Sequence, residues 1–246
     1  MNKIIFIPQH SMCGKEIDSP KPAAHSVEQW YKDAPKFARR DGSPGTLEEA
    51  KRRKSFATFK NCVSFFDIMT AGYTFDTVCD IKVFKDKDGK TNLELPKGYE
   101  IFAGKRGLTK DFVEPEGYEE DHFYWYPPWS VKLPKGYSAL YINPSNRTEL
   151  PFMSFEGIID NDKLNITGQY PFLIKKGFEG IIPKGTPYMQ IIPFKREDWE
   201  SEVEKKTPAE IELFQTRGNF KYRKNKVNYY RDNEWTRKKF KWKRVV

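Results

Sequence analysis

Between Trp129 and Arg196, runs of β-branched and aromatic residues are cut at short intervals by Pro, Gly, Asn and Asp. That is the pattern of strands joined by tight turns. Three runs organise the region: Leu133 to Pro144, a hairpin over Gly157 to Asp162, and Ile182 to Phe194. Upstream, Phe56 to Phe66 and Gly72 to Phe84 carry the same mixture and read as strands, with Ile81 and Val83 alternating with Asp80 and Lys82. Asp86 to Lys90 adds an Asp-Gly hairpin turn, with too few acidic neighbours at the right offsets for a calcium loop. Met1 to Pro8 reads as a first strand that Pro8 ends.

Helical signals lie at the two ends. Ser26 to Tyr31 starts a short helix with Ser26 as its cap, and Thr46 to Lys54 opens with a capping box, Thr46 and Glu49. From Arg196 to Thr216 the chain reads helical, with Trp199 and Val203 one turn apart and Thr207-Pro208 as an N-terminus. Gly107 to His122 is acidic and reads as a surface loop. Phe123 to Trp129 is a ring cluster expected to close a barrel end or a subunit contact, the alternative being a nucleobase pocket. The fold class is therefore mainly β, a distorted barrel or jelly roll. An N-terminal strand and arm takes 1–55, the β domain 56–196, and a helical, basic-aromatic extension 197–246.

One turn is reused. Leu95 to Tyr99, Leu133 to Tyr137 and Ile182 to Thr186 share apolar-Pro-Lys-Gly followed by an aromatic residue or Thr. Pro fixes the first corner and Gly takes positive φ at the third residue of a type II turn. The uneven spacing excludes a solenoid.

Charge changes the picture only at the C-terminus. Residues 217–246 hold twelve Lys or Arg against Asp232 and Glu234, +10, which leaves −1 of the total +9 for everything before them. Rings interleave with those bases, so Arg217, Lys221, Tyr222, Arg223, Tyr229, Tyr230, Trp235, Lys239 and Trp242 are the expected contacts for a protein partner or for nucleic acid. No apolar run approaches the roughly 20 residues that span a bilayer, and the opening is too short for a signal peptide, so no membrane role is expected. Cys13, Cys62 and Cys79 lack metal spacing and read as reduced thiols; His10, His25 and His122 sit in predicted loops, and no metal site is expected.

The order Leu133 to Ser138, then Gly157-Ile158-Ile159-Asp160, then Pro183 to Ile192 resembles the barrel of trimeric dUTPases and dCTP deaminases, a β-clip fold. The likeness covers about a quarter of the chain. The whole chain also resembles uncharacterised tailed-phage proteins, with an early Trp30-Tyr31-Lys32. The dUTPase resemblance implies that Asp160 touches a deoxyribose and orients the attacking water. Ser145, Arg147 and Gln190 would join it if a nucleotide site were kept, with Mg²⁺ as cofactor. Yet no ring follows Asp160, the phosphate loop is reordered around Ser145 and Arg147, and the Gly-rich closing arm is absent. A zinc deaminase is excluded by the missing His/Cys signature.

Three readings result. The first is a non-enzymatic structural protein with no cofactor, a virion component (capsid decoration, neck or tail) or host-cytoplasmic protein. Its partners would be other virion proteins or itself, as a trimer. The second is a deoxynucleotide pyrophosphatase or nucleotide binder; the third binds nucleic acid through 217–246.

Overall fold

The computed structural model of the 246-residue chain describes residues 2–107, 115–218 and 228–241. In chain order, β1 (Ile5–Pro8) and β2 (Lys21–Pro22) precede α1 (Gln29–Asp33), β3 (Phe37–Ala38), α2 (Leu47–Lys51), β4 (Phe56–Ala57) and α3 (Val63–Thr70). Then come β5 (Tyr73–Asp76), β6 (Ile81–Lys85), β7 (Thr91–Glu94), β8 (Ala103–Arg106), β9 (Tyr118–Trp125), β10 (Trp129–Lys132) and β11 (Tyr137–Ile142). The last strands are β12 (Phe152–Ser154), β13 (Gly157–Ile159), β14 (Tyr170–Lys175), β15 (Gly180–Ile182) and β16 (Pro187–Lys195), followed by helices α4 (Pro208–Gly218) and α5 (Tyr229–Asn233). No helix among the described residues is long and apolar enough to cross a membrane.

The described chain forms two compact units: one of 2–26, 71–196 and 240–241, the other of 27–70, 197–218 and 228–239. The first is mainly β and antiparallel. Its sheets are β13-β11-β16-β5-β2, β12-β14-β9-β8, β15-β6-β7 and the pair β1-β10. The ladders stay separate, but one apolar cluster draws on nearly all of them, including Phe75, Val83, Phe123, Trp125, Tyr141, Phe172, Tyr188 and Ile191. Burying each such side chain stabilises by about 1.5–3 kcal/mol. At the centre Trp125 stacks on Phe172 at 3.8 Å, and its indole N–H donates to Ser154 Oγ at 3.0 Å. Ser154 Oγ in turn donates to Tyr188 O at 2.6 Å, so the polar atoms of Trp125 and Ser154 are paired.

The turn chemistry holds. Gly98, Gly136 and Gly185 have φ of 90°, 84° and 84°. Tyr99, Tyr137 and Thr186 each donate back to the Pro three residues before, closing the turns. Asp86 Oδ1 accepts from the backbone N–H groups of Asp88 and Lys90 at 2.9 Å each, shaping the β6–β7 hairpin.

Several expectations are corrected. Phe56 to Phe66 is not one strand: only β4 is extended, a 3-10 turn covers Phe59–Asn61, and α3 begins at Val63, burying Val63 and Met69 and leaving Ser64 and Ile68 exposed. Tyr118 to His122 is strand β9 and not a loop, since its acids find Lys partners: Asp121 with Lys105 on the neighbouring β8 (2.8 Å) and Glu119 with Lys85 of β6 in a separate sheet (2.7 Å). His122 is accordingly a buried strand residue. Phe123 and Trp125 are core rings, neither a barrel lid nor a nucleobase pocket. Residues 196–207 are not helical, and α4 begins at Pro208.

In the second unit the Thr46/Glu49 capping box forms in both directions. The first helix starts at Gln29 with Glu28 as its cap, in place of Ser26. Part of the basic-aromatic extension folds onto this unit. Trp235 Nε1 and Lys238 Nζ both donate to Asp67 Oδ2, at 2.8 and 2.7 Å, and Arg231 donates to Asn61 Oδ1.

Candidate functional site

Asp160 lies where β13 ends. Its carbonyl accepts from the N–H of Lys163 (2.9 Å) and Leu164 (2.8 Å), so the predicted Asp-Asn-Asp turn forms. The turn comes to lie beside the start of β11 and the end of β16 because those strands pair Tyr137 with Lys195. Arg196, the next residue, donates its backbone N–H to Gly136 O at 2.9 Å.

Its guanidinium then gathers the cluster. Nη1 donates to Tyr137 O (3.0 Å), Ser138 Oγ (2.9 Å) and Asp162 Oδ1 (2.8 Å), and lies 3.1 Å from Asp160 Oδ1. Nη2 meets Asp162 Oδ2 at 2.5 Å. The geometry is the two-pronged arginine–carboxylate pair. Asp162 Oδ2 also accepts from the Gly136 N–H at 2.8 Å. Ser138 Oγ donates to Asp160 Oδ1 at 2.6 Å, and Lys163 Nζ stands 3.6 Å from the other oxygen.

These contacts decide the protonation states. The Ser138 hydroxyl, and then Arg196 and Lys163, hold the Asp160 carboxyl below its ordinary 3.8. Arg196 and the Gly136 N–H hold Asp162 well below the carboxylate range. Both are ionised near neutral pH, facing two cations. Between them Asn161 is 2 % exposed, accepting from the Tyr141 hydroxyl at 3.1 Å and donating to Leu164 O.

Ser145, Arg147 and Gln190 lie elsewhere. Gln190 is paired with Ile142, four residues along β11 from Ser138, about 13 Å at roughly 3.3 Å per residue. Gln190 and Ser145 do meet: the Ser145 N–H donates to Gln190 Oε1 at 3.0 Å, while Gln190 Nε2 donates to Ala71 O at 2.7 Å. Arg147 turns to Ser26 O (3.1 Å) and to Glu149. The four residues named as one nucleotide set therefore divide between the two ends of a sheet within one chain.

The sequence reading missed Arg196, Asp162 and Ser138, whose roles arise from strand register, and it missed Asp76. Asp76 is at the end of β5, with Lys21 Nζ 3.7 Å from Oδ2 and, among the described residues, no hydrogen-bond partner for Oδ1. Burial pushes its carboxyl up, against the pull of Thr74 and Lys21. Of the predicted tail contacts, Arg217, Tyr230 and Lys239 are exposed, Tyr229 is half-buried and Trp235 is held by Asp67. Lys221, Tyr222, Arg223 and Trp242 lie outside the described residues. Among the described residues no group of three His, Cys, Asp or Glu side chains is placed to hold a metal ion.

What fold and site define is a mainly β protein whose sheet end is closed by an internally neutralised carboxylate–arginine cluster. No protein-family model matches the sequence, and no curated protein does. Among solved structures it is similar to a mutant dUTPase of Staphylococcus bacteriophage 80alpha, at 10% identity over 84% of this chain and 99% of that one, with a TM-score of 0.34. It is also similar to a mutant dUTPase of phage phi11 of S. aureus, in which a structural Mg(II) ion is coordinated. That match has 12% identity over 42% of this chain and 95% of that one, with a TM-score of 0.25.

Proposed function

We propose that the protein is a non-catalytic scaffold that works by binding other proteins, its β unit serving as a rigid platform. The observation that carries this reading is the state of Asp160. A general base needs an oxygen open to the proton it takes and a pKa close to the working pH. The Asp160 side chain is 43 % exposed, but Ser138 and Arg196 engage its Oδ1 and Lys163 stands 3.6 Å from Oδ2, so the carboxyl is held below its ordinary value and is a weak base. Arg196 and Lys163 already match the charge of the two carboxylates, which therefore offer Mg²⁺ no net negative charge. The engagement of Arg231, Trp235 and Lys238 with their own unit favours a protein partner over nucleic acid for the extension.

The resemblance to tailed-phage proteins supports as partner another virion protein of capsid, neck or tail, or a further copy of this chain as a trimer. Mass spectrometry of purified particles tests the placement, and absence from the particle overturns it. A thermal-shift screen with dUTP, dCTP and Mg²⁺ tests the non-catalytic reading. A true ligand at about 100 times its Kd stabilises by about 2.7 kcal/mol. The expected shift is none, and a shift that Asp160→Asn removes sinks the scaffold.

A further inference from the structure

After Arg196 the chain changes character. From Glu197 through Arg217 every residue is exposed, Trp199 at 89% and Val203 at 88%. Exposed apolar side chains grouped along one segment, with Ile211, Leu213 and Phe214 also exposed in α4, can serve as a surface that meets another. The stretch has no helix before Pro208, and its residues alternate. Asp198, Glu200, Glu202 and Glu204 occupy one parity, and Trp199, Ser201 and Val203 the other. Side chains of an extended chain point alternately to opposite faces, so as a strand this segment has one acidic face and one apolar face. Within its own chain the recorded partner of this acidic face is Lys206, 2.5 Å from Glu204.

The β unit holds a surface groove of complementary chemistry. It has a volume of about 500 Å³ and is lined by Arg147, Glu149, Lys175, Lys176, Phe178 and Ile181, among others. Arg147 pairs with Glu149, which leaves Lys175 and Lys176 as its net charge; Lys175 Nζ also donates to Thr148 O at 2.5 Å. Ile181 is 52% exposed and belongs to β15, which among the described residues is hydrogen-bonded on one side, to β6. An open strand edge beside cations and apolar side chains is a site for strand addition.

We propose that Asp198 to Glu204 of one copy docks as an extended strand in this groove of a second copy. Reach keeps the N-terminal half of this segment, Trp199 included, out of the chain's own groove. Thr186 lines the groove at the start of β16 and Arg196 follows its far end, so the two are about 25 Å or more apart along the strand. Trp199 is three residues beyond Arg196 and extends at most about 11 Å from it. Arm into groove is a heterologous contact, which closes by reciprocal exchange or as a ring. The inference rests on the scaffold reading and specifies the partner as a second copy.

Sedimentation and native mass spectrometry of the full chain test it. Self-association is expected at micromolar concentration, weakening with salt as screened charges require. Lys175→Glu with Lys176→Glu, or Glu200→Lys with Glu202→Lys, each weakens it tenfold or more, and combining the four changes restores it. Trp199→Ala, a milder change at an exposed position, also weakens it, and a synthetic peptide of residues 197–206 in excess dissociates the assembly. A monomeric full chain overturns the proposal, as does an oligomer indifferent to both charge swaps, to Trp199→Ala and to the peptide. Such an oligomer leaves the scaffold reading intact, whereas deoxynucleotide turnover by an arm-exchanged assembly overturns the scaffold reading alone.

Discussion

At the Arg196 end of β16 two carboxylates face one guanidinium, a hydroxyl, a lysine and a backbone N–H. Near its other end, opposite Pro187, Asp76 carries a single carboxylate with an ammonium at 3.7 Å and one oxygen unpartnered among the described residues. The first pair is pushed toward ionisation and Asp76 toward protonation. The difference lies in what surrounds the oxygens: a carboxylate ringed by donors is stabilised as an anion, and one moved from water without enough donors is not. The upward shift falls on Asp76, and the downward one on Asp160 and Asp162.

The sharpest break concerns the backbone that supports the Gln190 region. Gly72 has φ +71°, and a Cβ there would come 1.9 Å from Ile191 O, next to Gln190. Gly72→Ala combines a disfavoured conformation with a backbone clash. The expected loss is about 3 kcal/mol or more, read as a lower urea midpoint. Gln190→Leu follows. It keeps the volume but strands the Ser145 N–H and the Ala71 carbonyl, at about 2–4 kcal/mol. If Gln190→Leu is neutral, the amide does not organise that end.

How far these regions were legible depends on the kind of signal each leaves. The strands of 129–196 were readable because period-two alternation and Pro-Lys-Gly turns are local. Val63 to Thr70 was not: Val63, Phe65, Phe66 and Ile68 have strand-like composition, and their helical use is decided by packing within their own unit. The acids of β9 read as loop because their lysine partners come from β6 and β8, far away in sequence. Asp160 was legible as a turn residue. Its neutralisation was not, because Arg196 reaches it only through the Tyr137–Lys195 register. Asp76 gave no signal beyond being a polar residue in a strand.

The donor-rich end gives the next prediction, and its sign follows from linkage. Asp160 and Asp162 have folded pKa values below 3.8, so their contribution is fully present above about that pH and is lost as pH falls through the folded values. Arg196→Gln removes the main cation. The variant is less stable at neutral pH, and the gap to the wild type narrows as the carboxylates protonate. Melting temperatures at neutral pH and at about pH 3 check this, and a gap that stays constant would mean that Arg196 acts by packing alone.

The smallest effect is expected at Asp76, with the opposite sign. Its folded pKa lies above 3.8, so over the interval up to that value the folded chain holds a proton that the unfolded chain has released. Stability therefore falls as pH rises through that interval, and the deficit is complete above the folded pKa. Asp76→Asn keeps the shape and removes the titration. Near neutrality the amide removes the cost of a buried anion and gives up the attraction of Lys21 across 3.7 Å. The first term is the larger, because burial is the leading influence on this group. Asp76→Asn is thus expected to be modestly more stable than the wild type at neutral pH, with the gain vanishing toward pH 3. A variant that is less stable near neutrality would make Lys21–Asp76 a net stabilising pair and erase the contrast between the two carboxylate sites.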